Sequence, residues 1–314
     1  MVPSWIIAAG MIVVVLGAAY GVRNQLNDAT NGIGLGLGPK PTIWWVVDDS
    51  QVNSRQWLDW SARSTREPNE PYLKICLRRA RQMAGEAFQL ESIVGRVDAH
   101  ARLEAAGCRI PPDADRAPPA LWLAWARAAF LNHLGGLWLD GSVLPIGNTT
   151  ELSRRLSADV LTFGTDPEEG LSVAESTAPA AGPSAGWAAK KHHPMWAGLQ
   201  RDHEALIDAG DQSWSSAECR RSARYAWDRH AAGITRIDRA AEVSRDQYGR
   251  RLEIDTLLGE TEWIGSTKDG LWVPLPDGRD KLERSTPWLW FLRLSETQIR
   301  DAKFLWSKWA STPI

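Results

Sequence analysis

Residues 131–143, which read LNHLGGLWLDGSV, constrain the fold of this chain more than any other part of its sequence. A helix-like segment over residues 121–134 precedes the glycine pair Gly135 and Gly136, and a short apolar strand follows and ends at Asp140. A carboxylate at the end of a buried strand costs free energy unless it meets a cation, a hydroxyl or another donor. We therefore expect a helix, a glycine turn and a strand that ends in a binding group.

Strand and helix signals alternate through the first half of the chain. Apolar runs rich in β-forming residues predict buried strands over residues 43–47, 88–94 and 160–164. Helical patterns cover residues 71–85, 97–106 and 121–134, and the proline-rich residues 108–120 predict a loop. This alternation predicts an α/β fold, with one domain over residues 41–314.

The second half gives weaker signals. Residues 172–186 are rich in Ala, Ser, Gly and Pro, which predicts a mobile loop. Residues 196–207 and 214–230 have helical patterns, whereas 254–264 and 271–274 predict short strands or loops. Residues 295–309 predict a terminal helix with Ser295 as its N-cap.

The N-terminus carries an apolar, uncharged run over residues 5–22. Eighteen helical residues cover roughly 27 Å, close to the thickness of a bilayer core. A cleaved signal peptide is the alternative, but no Lys or Arg precedes the run. We expect residues 1–22 to be a single-pass transmembrane anchor, residues 23–40 a glycine-rich linker and, because Arg23 follows the run, the domain beyond it to be cytoplasmic.

Composition excludes some classes of function. The 36 Lys and Arg residues balance 38 Asp and Glu residues, so no basic field points to nucleic acid as a partner. Three widely spaced cysteines predict neither a disulfide framework nor a zinc site. Most of the 18 tryptophans are expected in the core, and a minority could stack on bases or sugars.

Asp48 and Asp49 follow the first predicted strand, at the carboxyl end where ligands bind in open α/β sheets. Adjacent strand residues point to opposite faces, so at most one of them faces a given site, and a solvated strand end is the alternative. Arg127 lies on the helix before Gly135 and is suited to bind phosphate through two hydrogen bonds, or to form a buried ion pair. Arg55 is a weaker candidate for the same role.

Two further candidates lie beyond residue 185. The run KKHHP at residues 190–194 follows the predicted mobile loop, and its cations are placed to close over a diphosphate leaving group, with Lys191 and His193 as binding residues. Solvated charges at a helix start are the alternative. Asp255 is a candidate base that activates an acceptor, although Asp238, Glu253 and Glu262 are not distinguished from it.

The part of the chain over residues 127–142 resembles the sugar-binding region of GT-A-type glycosyltransferases. The resemblance rests on Arg127, the pair Gly135-Gly136 and the run LWLDGS at residues 137–142. The capsular-polysaccharide-synthesis type, in which the motif reads roughly Gly-Gly-x-Trp-x-Asp-x-Thr, is the most similar. Uncharacterised viral and microbial GT-A-like proteins share weaker similarity with residues 43–45, 52–59, 71–73 and 287–295. The family usually has an Asp where Ala124 stands, and the second Asp of its DxD motif is Ser142 in this chain.

The resemblance implies a GT-A-like domain that binds a nucleotide-sugar donor and transfers its sugar to a glycan or polysaccharide acceptor. It implies a divalent cation, Mn²⁺ or Mg²⁺, held by Asp140 and Ser142 with help from diphosphate oxygens. Asp140 and Asp255 are the catalytic candidates, and the binding candidates are Trp45, Asp48, Asp49, Arg55, Arg127, Gly135, Gly136, Ser142, Lys191 and His193. The alternative is a catalytically degenerate GT-A-like protein that binds glycans or scaffolds a membrane complex.

Overall fold

The computed structural model describes residues 40–47, 70–156, 160–163, 186–214, 229–234, 236–238, 243, 246–248, 252–260, 270–275, 282, 286–288 and 290–313. The chain divides into two units between Pro41 and Thr42, and the fold that follows belongs to the second unit. The predicted anchor, most of the linker, Asp48, Asp49 and Arg55 lie outside the described residues. Within the described ranges, no helix is long and apolar enough to cross a membrane.

Six strands form the main sheet, and they are β1 (Thr42–Val47), β2 (Gln89–Val94), β3 (Gly136–Asp140), β5 (Val160–Phe163), β6 (Gly186–Ala189) and β7 (Arg236–Asp238). Their order is β2-β1-β3-β6-β5-β7. β1 is parallel to β2 and β3, β6 is antiparallel to β3 and β5, and β7 is parallel to β5. A second, antiparallel pair joins β4 (Leu144–Pro145) to β8 (Trp272–Val273).

Helices flank this sheet, which confirms the predicted α/β class. They are α1 (Pro71–Ala84), α2 (Arg96–Ala105), α3 (Pro119–His133), α4 (Thr149–Arg155), α5 (Pro194–Asp208), α6 (Ile254–Leu257), α7 (Glu296–Asp301) and α8 (Leu305–Ser311). Single 3₁₀ turns occur at Ala114–Arg116, Ala231–Gly233, Thr286–Trp288 and Phe291–Arg293.

Strand β1 shows why the sheet is covered on both faces. Successive side chains of a strand point to opposite faces, and every residue of β1 after Thr42 is buried. Ile43 and Trp45 belong to the core that contains the apolar face of α1. Trp44 and Val46 belong to the core that contains α3 and part of α5. The continuous apolar run is therefore that of a strand buried between two layers of helices.

Most predicted elements are confirmed with small shifts at their ends, including those over residues 43–47, 71–85, 88–94, 97–106, 121–134, 160–164, 196–207 and 271–274. Two predictions are wrong. Residues 254–257 form a short helix rather than a strand or loop, and the terminal helix is broken into α7 and α8. Strand β6 was not predicted, and the loop predicted over residues 172–186 lies outside the described residues except for Gly186. The helix predicted over 214–230 lies almost wholly outside the described residues.

The break between α7 and α8 has a packing cause. Ser295 is the N-cap, as predicted, and forms a capping box with Gln298. Ile299 and Phe304 are both buried in one core, yet in an unbroken helix they would point about 140° apart. Extended backbone at Ala302 and Phe304 lets both side chains reach that core.

Candidate functional site

The carboxyl ends of β1 and β3 meet where the order of the sheet reverses. The chain passes from β1 through α1 to β2 on one side, and then returns through α3 to β3 on the other side of β1. Val46 of β1 lies opposite Asp140 at the end of β3. In open α/β sheets, ligands bind in the crevice outside such a switch point. Asp140 therefore lies at the edge where a ligand site is expected.

A tight turn follows Asp140 and rests against the end of β1. The Gly141 N–H donates to the carbonyl of Val46 at 2.9 Å, and the Val143 N–H donates to the carbonyl of Asp140 at 3.2 Å. A Cβ at Gly141 would lie 2.2 Å from Cγ2 of Val47 and 2.8 Å from the carbonyl oxygen of Val46. Only glycine fits this approach, so Gly141 fixes where the Asp140 and Ser142 side chains project.

Ser142 holds the carboxylate of Asp140 in place. Its backbone N–H donates to Oδ1 of Asp140 at 2.8 Å, and its hydroxyl donates to the same oxygen at 2.7 Å. Both residues are half-buried. Two donors on one oxygen restrict the rotation of the carboxylate. Ser142, which stands where the DxD motif has its second Asp, therefore donates hydrogen bonds to Asp140, which stands where the motif has its first.

Cys76 of α1 lies beneath this turn, and nothing in the sequence pattern distinguished it from other apolar-face residues of that helix. Its thiol is fully buried and lies 3.8 Å from the carbonyl oxygen of Ser142. Burial raises the pKa of the Cys76 thiol far above its ordinary value, and the charge of Asp140 adds to this. The thiol stays protonated, so Cys76 supports the turn and is not a nucleophile.

Trp45, a predicted substrate-binding residue, is buried beneath the turn. Its side chain is 0 % exposed and belongs to the core shared with α1. Its Cζ2 lies 3.2 Å from where a Cβ of Gly141 would stand, so the ring packs under the turn. This burial favours a packing role for the indole, and substrate binding by Trp45 stays a prediction.

Gly135 and Gly136 lie at the amino end of β3, whereas Asp140 lies at its carboxyl end. Both have positive φ, 67° and 96°. A Cβ at Gly136 would lie 2.4 Å from the carbonyl oxygen of Thr42, and Trp44 Nε1 donates to the carbonyl of Gly135 at 2.7 Å. Four strand steps separate Gly136 from Asp140, about 13 Å. The glycine pair makes the turn from α3 into β3 at this distance from Asp140, and substrate binding by Gly135 and Gly136 stays a prediction.

Lys191 and His193 also lie beyond the amino end of β3. Antiparallel pairing sets Ala189 of β6 against Gly136, so the residues after Ala189 continue beyond the amino end of β3. The His192 N–H donates to the carbonyl of Asn132, and His193 caps α5 by accepting from the Met195 N–H at 3.2 Å. The structure therefore does not bring Lys191 and His193 to the Asp140 end of β3, and their binding of a diphosphate stays a prediction.

Arg127 of α3 is buried beside β6 and α5. Its guanidinium carbon lies 5.4 Å from the centre of the Trp187 ring, and the residue is 7 % exposed. His203 of α5 is a close neighbour, and burial, followed by the charges of Arg127 and His230, lowers the pKa of His203 to about 3. This packing accounts for the burial of Arg127, and phosphate binding by Arg127 stays a prediction.

Asp255 is exposed in the first turn of α6. The chain just after α6 contacts the first residue of α8, where the Leu305 N–H donates to the carbonyl of Gly259 at 3.1 Å. Within the described ranges, no hydrogen bond or ion pair connects Asp255 to Asp140. Its role as a base stays a prediction.

The Asp140 turn offers a cation few ligands. Across the part of the chain that the structure describes, no group of three His, Cys, Asp or Glu side chains is placed to hold a metal ion. The turn supplies one carboxylate and one hydroxyl, and Oδ1 of the carboxylate already accepts from Ser142. Mg²⁺ and Mn²⁺ prefer about six oxygen ligands, so diphosphate oxygens and water would have to complete the shell.

Comparison with known protein families, curated proteins and solved structures finds no match to this chain.

Proposed function

We propose that this chain is a GT-A-type glycosyltransferase, which binds a nucleotide-sugar donor at the Asp140–Val143 turn and transfers the sugar to a glycan or polysaccharide. One observation carries the proposal. An acidic turn that admits only glycine at its second position lies at the carboxyl ends of β1 and β3, where the sheet order reverses. The motif resemblance centres on the same residues. The proposal includes a membrane anchor at residues 1–22 and a cytoplasmic domain.

In this proposal the Asp140 carboxylate acts through its fixed orientation. It accepts hydrogen bonds from ribose hydroxyls, or it helps to hold Mn²⁺ or Mg²⁺ against the diphosphate. Its rotation is restricted by the two hydrogen bonds from Ser142, so little side-chain entropy is lost when a donor binds. The acceptor hydroxyl attacks the anomeric carbon, the bond to the diphosphate breaks, and a base such as Asp255 takes the hydroxyl proton.

A second candidate is a GT-A-like protein that binds the nucleotide-sugar or a glycan without turnover. Two observations favour it. Ala124, where the family usually has an Asp, is 2 % exposed within an apolar core. Ser142 donates to Asp140, whereas a second carboxylate in that position would add a negatively charged metal ligand. Binding or scaffolding at a membrane would not require the two carboxylates that the family usually has at the positions of Ala124 and Ser142.

Calorimetric titration separates these candidates. The full chain is titrated with UDP-, GDP-, dTDP- and CMP-sugars, with and without Mn²⁺, and release of the nucleotide is followed in parallel. Saturable binding of one donor with release of its nucleotide supports the transferase. Binding without release supports the second candidate. If none of the four donor classes binds under either condition, the transferase is wrong, and the second candidate is reduced to glycan binding or scaffolding.

A further inference from the structure

Strand β2 leaves one edge of the main sheet open. It stands first in the strand order and, among the strands of the described residues, pairs only with β1. Its sequence, QLESIV, contains no proline, and its pairing with β1 continues over all six residues. Native proteins usually protect such an edge with proline, a bulge or an inward-pointing charge, because its free amides are a template for another strand. The β2 edge is therefore suited to strand addition.

The outward backbone groups of β2 belong to Leu90, Ser92 and Val94. The Gly95 N–H donates to the carbonyl of Val47 in β1 at 2.8 Å. Alternate residues of a strand direct their N–H and C=O groups to the same neighbour, so the even-numbered residues of β2 direct theirs away from β1. No hydrogen bond to these outward groups comes from any of the described residues. Three donors and three acceptors therefore lie in a row along the edge.

The side chains of β2 are divided between the two helical layers. Leu90 and Val94 contact the core that contains α1, whereas Ile93 belongs to the core that contains residues of α2 and α3. An added strand has to keep this division, since directly opposite residues of neighbouring strands lie on the same face of a sheet. A two-fold axis perpendicular to the sheet keeps it, because that axis leaves the α1 layers of two copies on one face.

We infer that β2 pairs antiparallel with β2 of a second copy of this chain, about a two-fold axis at Ser92, so that the two main sheets become continuous. In this register Ser92 lies opposite Ser92, and Leu90 lies opposite Val94. Every outward N–H of one copy then donates to an outward carbonyl of the other. Pairing centred on Glu91 or Ile93 would instead place Val94 or Leu90 beyond the end of the partner strand.

The one charged side chain of β2 does not oppose this pairing. Oε1 of Glu91 accepts from Nε2 of Gln89 at 2.6 Å, and Oε2 accepts from Arg102 at 3.0 Å. In the register centred on Ser92, Glu91 lies opposite Ile93 and not opposite Glu91 of the other copy. Like charges directly opposite each other destabilise a strand pair, and this register avoids them.

Self-complementarity is what favours a second copy over a strand of another protein. The outward backbone groups, the two faces and the charge of β2 all match under one two-fold axis, as an interface between identical chains requires. Val97 supplies apolar surface next to the joint, since it lies in the first turn of α2, directly after the edge strand, and is 66 % exposed. The inference does not depend on the proposed transferase function.

Disulfide cross-linking of the full chain tests the register. Opposite residues of a hydrogen-bonded antiparallel pair lie about 5.5 Å apart at Cα, within the range that a disulfide bridges. Ser92→Cys should therefore form a covalent dimer on mild oxidation, and reductant should reverse it. Gln89→Cys, at an exposed residue of the same strand, is the matched control. The two copies of residue 89 would lie roughly 20 Å apart along the joint, so this variant should cross-link no more than the wild-type chain.

Sedimentation velocity in mild detergent tests the dimer without a covalent bond. The wild-type chain and Ser92→Thr should be dimeric at micromolar concentration. Ser92→Pro should weaken the dimer about tenfold or more, because it removes an outward N–H that β1 does not use, and proline is tolerated on the open side of an edge strand. Its circular dichroism should match that of the wild-type chain.

Three results would overturn the inference. A monomeric wild-type chain would leave this edge to a strand of another protein. A dimer that Ser92→Pro does not weaken would belong to another surface of the chain. Equal cross-linking of Ser92→Cys and Gln89→Cys would rule out the register, and this comparison decides the question if Ser92→Pro does not fold.

Discussion

The hydroxyl and the backbone N–H of Ser142 both donate to Oδ1 of Asp140, at 2.7 and 2.8 Å. This relationship gives Ser142 a chemical role different from that of the second Asp in a DxD motif. A second carboxylate in place of Ser142 would add a metal ligand, whereas the serine adds a donor that fixes the first carboxylate. Under the proposed function, this arrangement suits a directed hydrogen bond from the donor, and a cation would need the oxygens of the donor itself.

The Ser142→Asp variant tests whether this turn is an altered metal site. The substitution removes a hydroxyl donor and adds a negative oxygen ligand beside Asp140, so we expect Mn²⁺ to bind on the order of tenfold more tightly in the presence of a nucleoside diphosphate. Electron paramagnetic resonance of free Mn²⁺ measures the affinity. Glu86→Asp, a change at an exposed acidic residue in the turn before β2, serves as control. Unchanged Mn²⁺ affinity in Ser142→Asp would show that Ser142 is not near a cation.

Gly141→Ala should displace the turn. The new Cβ would overlap Cγ2 of Val47 and the carbonyl oxygen of Val46, and backbone cannot move without disturbing β1. We expect a loss of about 1–3 kcal/mol in the free energy of unfolding, measured by urea denaturation, and weaker donor binding. Gly210→Asn is the control, because that glycine has open space around it and Asn tolerates its positive φ of 66°. Equal stability of the two variants would contradict the close approach of the turn to β1.

His203 makes stability depend on pH. The pKa of His203 is lowered from about 6.5 to about 3, chiefly by burial, so the folded chain leaves this residue neutral while the unfolded chain takes up a proton below pH 6.5. Its contribution to stability is therefore lost as pH falls from 6.5 toward 3, by about 2 kcal/mol between pH 7 and pH 5. Burial also lowers the pKa of His100 and His133, which adds to the same trend.

Urea unfolding of His203→Gln at pH 7 and pH 5 isolates that contribution. The variant should lose less stability than the wild-type chain over this interval, and Gln212→Asn, a change at an exposed residue with no titratable group, should not. Glu151 does not interfere, because the hydrogen bonds from Arg154 and Arg155 hold its pKa at about 2 and its contribution is lost only below pH 4.5. Parallel pH dependences of His203→Gln and wild type would rule out a buried neutral His203.

The sequence predicts the elements around the site because their signals are local. The apolar run of β1, the amphipathic pattern of α1 and the glycine turn into β3 each depend on neighbours in the chain. Strand β6 escapes prediction because its four residues, GWAA, are too few to show a period. Its antiparallel direction carries Lys191 and His193 to the amino edge of the sheet, which no local pattern reveals.

The burial of Trp45 shows the same limit. Its position beside the predicted ligand edge is clear from the sequence, but the face on which its ring packs depends on α1 and on the turn at Gly141, which are distant in the chain. Asp140 is predicted correctly at a strand end because the strand and its acidic end are contiguous.

Donor affinity of Asp140→Asn tests the central claim most directly. Asparagine keeps an oxygen for the two Ser142 donors but removes the charge, so the fold should survive while the ligand loses a charged acceptor. We predict that calorimetry on the full chain finds the donor bound roughly 1.5–3 kcal/mol more weakly, about tenfold to over a hundredfold, with Glu86→Gln unchanged. Wild-type donor affinity in a folded Asp140→Asn protein would contradict the assignment of this turn as the nucleotide-sugar site.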